Sequence, residues 1–136
     1  RRGAGEAVES RVCSGGGAEG GGRVGTAYGE RLSRVKALAE GMWDGLSAIP
    51  AVTMYGPTPD QPRTPTVAVT VRGHDSTAVA IQLAERAVFV SNGDFYAATI
   101  IEQLGHGADG VVRAGCACYT SADEIDRLIA GVKELK

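Results

Sequence analysis

Arg113 is the residue whose type and setting most invite chemistry. It stands among Ala114, Gly115, Cys116 and Ala117, small neighbours in a stretch that reads as a strand. A guanidinium carries five fixed N–H donors and no acceptor, and it is rarely left in a sheet without a partner. Two readings follow: an arginine at a strand end paired to a nearby Asp or Glu, or a fork that binds a carboxylate. Cys116 and Cys118 are two apart, so a regular strand puts both on one face and turns Arg113, Gly115, Ala117 and Tyr119 to the other. Free thiols behave as small buried hydrophobes. Only His74 and His106 could join them around a metal, and neither has ligand spacing, so no metal site is expected. His106 lies between Gly105 and Gly107 and reads as an exposed, mobile loop histidine. Asp94 is a plausible helix cap. Tyr96 is either an aromatic plug for the core or a hydroxyl facing a cleft. Trp43 and Tyr28 read as packing residues. Asp123, Glu124 and Asp126 suit the positive end of a helix and need no catalytic role. Lys36, Lys133 and Lys136 show no sign of activation. No Ser-His-Asp set or phosphate loop is visible, and no catalytic residue is assigned.

The elements that would position these residues follow from periodicity. Leu32, Val35, Leu38, Met42, Leu46 and Ile49 recur at helical steps in a helix expected from Tyr28, with Thr26 as cap and Pro50 as its end. Ala51 to Tyr55 can form a short strand. Pro57, Pro59, Pro62 and Pro65 mark a loop. Thr66 to Arg72 alternates, with Val67, Val69 and Val71 facing one way, and predicts a half-buried strand. Asp75 or Ser76 can cap the next helix, whose buried stripe is Val79, Ala80, Leu83, Ala84 and Ala87. Val88 to Ser91 reads as a strand closed by an Asn92-Gly93 turn. Phe95 to Leu104 reads as helix and Val111 to Tyr119 as a strand. Ser121-Ala122-Asp123-Glu124 is a capping box opening a last helix with Ile125, Leu128, Ile129, Val132 and Leu135 on one face. This order implies an α/β (α+β) two-layer sandwich: a small, mainly antiparallel sheet of three to four strands with helices on one face. The last strand has room to insert between the two members of the strand–helix–strand unit.

Composition bounds the rest. A chain of 136 residues is one domain's worth. Lys+Arg 14 against Asp+Glu 16 gives a net charge of -2, which removes the usual drive for nucleic-acid or anionic-membrane binding. No apolar stretch is long enough to span a bilayer, and the start shows no secretory signal. Three cysteines are too few for a disulfide scaffold, and a cytoplasmic location is expected. Ten of the 20 glycines fall in residues 1–29, so residues 1–27 read as a linker or tail and 28–136 as the domain.

The second half of the chain resembles a known family. Val90 to Ala97 (VSNGDFYA) and Val112 to Asp126 (VRAGCACYTSADEID) are similar to the end of class V aminotransferases, fold type I pyridoxal-phosphate enzymes, with the cysteine desulfurase-like branch nearest. The family segment R-x-S/G-x-x-x-Y-N-T-x-E-E-[IV]-D is matched from Arg113 to Asp126, with Thr120 in the asparagine position. Leu46 to Val52, Tyr55-Gly56 and Thr64 to Val69 look like the opening of the same small domain. The likeness covers Tyr28 to Lys136 and not residues 1–27. It implies a C-terminal small domain in which Arg113 binds the substrate α-carboxylate and the Gly93 loop is the active-site loop. The family's sulfur-accepting cysteine falls at Tyr96, and a phenol can neither hold a persulfide nor act as a good nucleophile at neutral pH. The implied substrate-binding set is Arg113, Tyr96 and Gly93. The family's Schiff-base lysine and phosphate-binding residues belong to an N-terminal large domain, so pyridoxal 5'-phosphate is expected in the full-length enzyme and not on this chain alone, which is expected to be inactive. The implied partners are that large domain, an amino-acid substrate and a second copy in a full-length homodimer, with no nucleic acid and no membrane. The alternative is a stand-alone α/β binding or oligomerisation module. An Arg113 locked in a closed ion pair, away from any crevice, would defeat the carboxylate reading.

Overall fold

The computed structural model describes residues 18–107 and 109–135, and side chains from residue 29 onward. Eight elements follow one another: α1 (Ala18–Ser47), β1 (Val52–Tyr55), β2 (Thr66–Val71), α2 (Ser76–Ala84), β3 (Ser91–Gly93), α3 (Ala98–Gln103), β4 (Val111–Gly115) and α4 (Ala122–Lys133). The four strands make one sheet in the order β1-β2-β4-β3, antiparallel at every junction. The late strand β4 therefore lies between β2 and β3, and the expected α/β two-layer architecture is present.

Alternation along the strands sorts the sheet into two faces. Val67, Val69 and Val71 of β2 and Val112 and Ala114 of β4 are buried in one core with Met42, Leu46, Leu83, Ile125, Leu128 and Val132 from the helices. Gly45 lets α1 approach α4, since an added Cβ would collide with the Ile129 side chain. Gly131 does the same between α4 and α2, where a Cβ would lie 2.6 Å from Leu83 Cδ2. Asp75 caps α2 by accepting from Ala78 N at 2.6 Å. The Ser121–Glu124 capping box opens α4 as expected. The two hydrogen bonds from Ser121 hold the exposed Glu124 carboxyl below its ordinary range.

Several expectations need correction. The backbone of α1 is helical back to Ala18. Thr26 is therefore inside the helix rather than its cap, and residues 18–27 of the expected linker or tail have helical backbone; propagating a helix already anchored by packing is far easier than starting one, even through glycines. Residues 1–17 of the expected tail lie outside the described residues. Leu32 is 60% exposed because the part of α1 that packs on the core begins further on, at Val35, and is fully buried only at Met42 and Leu46. The strand expected at Val88 starts instead at Ser91, and Asn92-Gly93 lies within β3 rather than forming a turn. The helix expected from Phe95 starts at Ala98. Ala84 is exposed and Ala87 lies past the end of α2 at φ 56°, so neither belongs to the buried stripe. β4 stops at Gly115, where Thr120 Oγ1 accepts from Ala117 N at 2.9 Å and turns the chain. Cys116 and Cys118 consequently do not share a face: Cys116 is buried, which pushes its thiol up, and Cys118 is exposed.

Candidate functional site

The outward face of the sheet carries the polar residues. Register places Tyr55 opposite Ala68, Ala68 opposite Arg113, and Arg113 opposite Ser91, a single row across all four strands. Arg113 and Tyr55 line an open cleft of about 550 Å³ with Thr66, Ala68 and Arg63. The period-two pleat that buries Val112 and Ala114 is what turns Arg113 outward between them. Among the described residues no carboxylate pairs with Arg113. Its guanidinium instead lies over the Phe95 ring, 4.2 Å from the centroid.

Phe95 reaches that position through an unusual loop. Gly93 has φ 123°, and Gly110 (φ 81°) packs against its backbone so tightly that a Cβ would not fit. Phe95 and Tyr96 follow at φ 53° and 61°. Left-handed backbone at a bulky residue costs about 1–3 kcal/mol and persists only where the surroundings impose it. Asp94 supplies part of that imposition. Its Oδ1 accepts from Tyr96 N at 3.0 Å, and its carbonyl accepts from Ala97 N at 2.9 Å. Asp94 thus closes the turn ahead of α3. It does not cap the helix, which starts with Ala97 in the N-cap position and no side-chain cap.

The other sequence candidates are placed as follows. The Tyr96 ring is fully exposed, so it is not a core plug. Trp43 packs against the core and carries Arg63 over its ring at 4.6 Å. Arg63 also donates to the carbonyls of Pro57, Thr64 and Thr66, so its guanidinium is engaged in holding the proline-rich loop. His106 is half-buried rather than a free loop residue: its Nε2 lies 2.6 Å from Tyr55 Oη, which also meets Thr70 Oγ1 at 3.2 Å. Tyr55 and Phe95 were not singled out from the sequence. Nothing local marks either one, since the partners of Tyr55 lie 15 and 51 residues away.

Two further features lie off the cleft. Asp109 accepts from Ser76 N through both carboxylate oxygens, at 2.8 and 2.9 Å, and so ties the approach to β4 to the start of α2. A more apolar groove of about 370 Å³ runs between α1 and the proline-rich loop. Among the described residues no group of three or more His, Cys, Asp or Glu converges as metal ligands would.

Comparisons with known proteins identify the family and the fold. The family model for aminotransferase class-V matches residues 28–128. The chain belongs to the class-V aminotransferase family. Over 112 residues it is 30% identical to a cysteine desulfurase of Pectobacterium carotovorum, spanning 81% of this chain and 26% of that protein. The structure of a cysteine desulfurase from Thermococcus onnurineus superposes with a TM-score of 0.68 at 27% identity, over 74% of this chain and 24% of that one. A C-DES variant with glycine covalently linked to its PLP cofactor shares the fold, with a TM-score of 0.62 at 21% identity over 79% of this chain and 24% of that chain. This class-V aminotransferase chain thus spans about a quarter of the length of the relatives it matches. Among its described residues no helix is long and apolar enough to cross a membrane.

What the cleft can bind follows from its donors. Arg113 offers in-plane N–H groups to an anion with two oxygens. No described lysine lines the cleft: Lys36 is on α1, 3.8 Å from Glu40, and Lys133 is exposed in the last turn of α4. The residues present therefore suit a carboxylate and do not suit covalent attachment of pyridoxal phosphate.

Proposed function

We propose that this chain is the C-terminal small domain of a cysteine desulfurase-like, pyridoxal-phosphate-dependent enzyme acting on an amino acid, and that Arg113 binds the substrate carboxylate. The carrying observation is Arg113 itself: exposed at an open cleft, without a carboxylate partner among the described residues, and fixed on the side facing Phe95. The class-V match and the cysteine desulfurase relatives favour this over a stand-alone binding module. In this reading residues 28–136 are the domain, and the residues ahead of them lead into a large domain that supplies the cofactor's lysine. The whole enzyme is cytoplasmic and homodimeric, and this chain alone does not turn over.

Within that enzyme the chain has two tasks. Arg113 orients the amino acid by its α-carboxylate, so that the bonds at Cα face the large domain. The segment from Gly93 to Tyr96 forms the active-site loop. Tyr96 occupies the position at which desulfurases of the family carry a sulfur-accepting cysteine, so this loop does not store sulfur.

The test is kinetic. In the enzyme that contains this chain, Arg113→Ala raises KM for the amino acid about tenfold or more, the scale of losing a charge-assisted pair. Arg113→Lys gives a smaller rise, because an ammonium keeps the charge and loses the fork. An unchanged KM in Arg113→Ala removes the residue from this role. Labelled sulfur trapped on Tyr96 would overturn the account of the loop.

A further inference from the structure

We infer that Phe95 is a positioning residue for Arg113: its ring holds the flat face of the guanidinium and leaves the in-plane donors open to the substrate carboxylate. The inference rests on the assignment of Arg113 above and extends it to a residue that has no polar atom to contact the substrate.

Two arginines lie over aromatic rings, and their settings differ. Arg63 lies over Trp43 at 4.6 Å and donates to the carbonyls of Pro57, Thr64 and Thr66. Stacking and hydrogen bonds together make it a structural pin. Arg113 lies over Phe95 at 4.2 Å, yet among the described residues its N–H groups have no acceptor. An exposed arginine held on one face only, with its edge unsatisfied, is arranged for a planar anion approaching in the guanidinium plane.

The loop supports the same conclusion. Phe95 and Tyr96 are both aromatic and both left-handed, at φ 53° and 61°, but their rings part company. Phe95 turns back onto β4 and is half-buried, while Tyr96 points into solvent. A loop free to relax would place neither bulky residue in this region of backbone space. The hydrogen bonds of Asp94 to Tyr96 N and Ala97 N hold the turn that delivers the Phe95 ring. Without the ring, the four-bond side chain of Arg113 would sample many rotamers on an open face. Each productive encounter with a carboxylate would then require it to be ordered again.

The experiment separates the stack from the carboxylate. In the chain labelled with ¹⁵N-arginine, the Arg113 Nε–Hε signal, assigned by its loss in Arg113→Lys, is shifted upfield by the ring current of Phe95. Phe95→Leu moves it back towards the other arginines, and Phe95→Trp keeps it upfield. In the enzyme that contains this chain, Phe95→Leu raises KM about three- to tenfold with kcat within about twofold, and Phe95→Trp restores KM. A wild-type KM in Phe95→Leu, where Arg113→Ala raises it, overturns the role of Phe95 and leaves the carboxylate assignment standing. An unchanged KM in Arg113→Ala overturns both. An Arg113 signal with no upfield shift in the unaltered chain overturns the stack, whatever the Phe95 variants do. A raised KM that Phe95→Trp fails to restore shows that the aromatic face is not the operating property.

Discussion

Within β2 the two faces of the sheet lead different lives. Val67, Val69 and Val71 enter a core closed by α1, α2 and α4, whereas Thr66, Ala68 and Thr70 between them stay half-open beside Arg113 and Tyr55. The inner face works by volume: close-packed atoms, glycines where helices touch, and no group that needs to change. The outer face carries unfinished polar groups, above all a guanidinium whose donors have no acceptor among the described residues. One alternating strand thus separates the core from the proposed binding face residue by residue, and substitutions on the two faces should fail in different ways.

The strongest challenge to that separation is Leu83→Ala. Leu83 is 0% exposed in the inner core, and its truncation should lower unfolding free energy by about 2–5 kcal/mol in urea titrations. Arg113→Ala on the outer face should stay within about 0.5 kcal/mol of the unaltered chain. Similar losses from the two would break the comparison. Next in size is Gly131→Ala, whose new methyl must displace Leu83 Cδ2 from 2.6 Å and should cost about 1–3 kcal/mol. Because the two residues touch, the double variant with Leu83→Ala should lose less than the separate losses added together, a coupling read from the same titrations.

Tyr55→Phe probes the outer face more gently. It removes the hydroxyl shared by His106 and Thr70 and should cost about 0.5–1.5 kcal/mol. The His106 ring signals should shift at the same time, and a histidine spectrum left unchanged would deny the contact. The smallest effect concerns acid. Hydrogen bonds from Ser121 lower the pKa of Glu124 from its ordinary 4.5, so the unfolded state takes up that proton first. The stabilisation is present above the ordinary value and fades as pH falls through the lowered one. Glu124→Gln should therefore flatten the fall of Tm below about pH 4.5, and an unchanged slope would remove the capping box from the acid response.

How much of this was legible in the sequence depends on how local each cause is. The valine alternation of β2 and the capping box of α4 are written in adjacent residues, and both elements lie within a residue or two of where they were expected. The class-V motif is equally local, and the proposed roles of Arg113 and the Gly93 loop rest on it. The misplaced features have distant or contrary causes. A period-two reading carries β4 on to Tyr119, but Thr120 Oγ1 captures Ala117 N and ends the regular chain. Gly93 signals a turn, but the reversal comes at Phe95 and Tyr96, residue types that normally argue against left-handed backbone. His106 sits between glycines and reads as free, yet a hydroxyl from β1 holds it. Such pairings become visible only once the sheet is assembled.

The position of β4 has a consequence for how the molecule is made. It is the last strand of the sheet in sequence yet an interior one in space, flanked by β2 and β3. A nascent polypeptide halted on the ribosome ahead of Val111 would hold β1 and β2 on one side of a gap and β3 on the other, with no ladder across it. Closing that gap joins residues far apart in the sequence, and such long-range closure is slow. The guanidinium arrives in the same event that seals the gap, so a half-made chain lacks the cleft altogether.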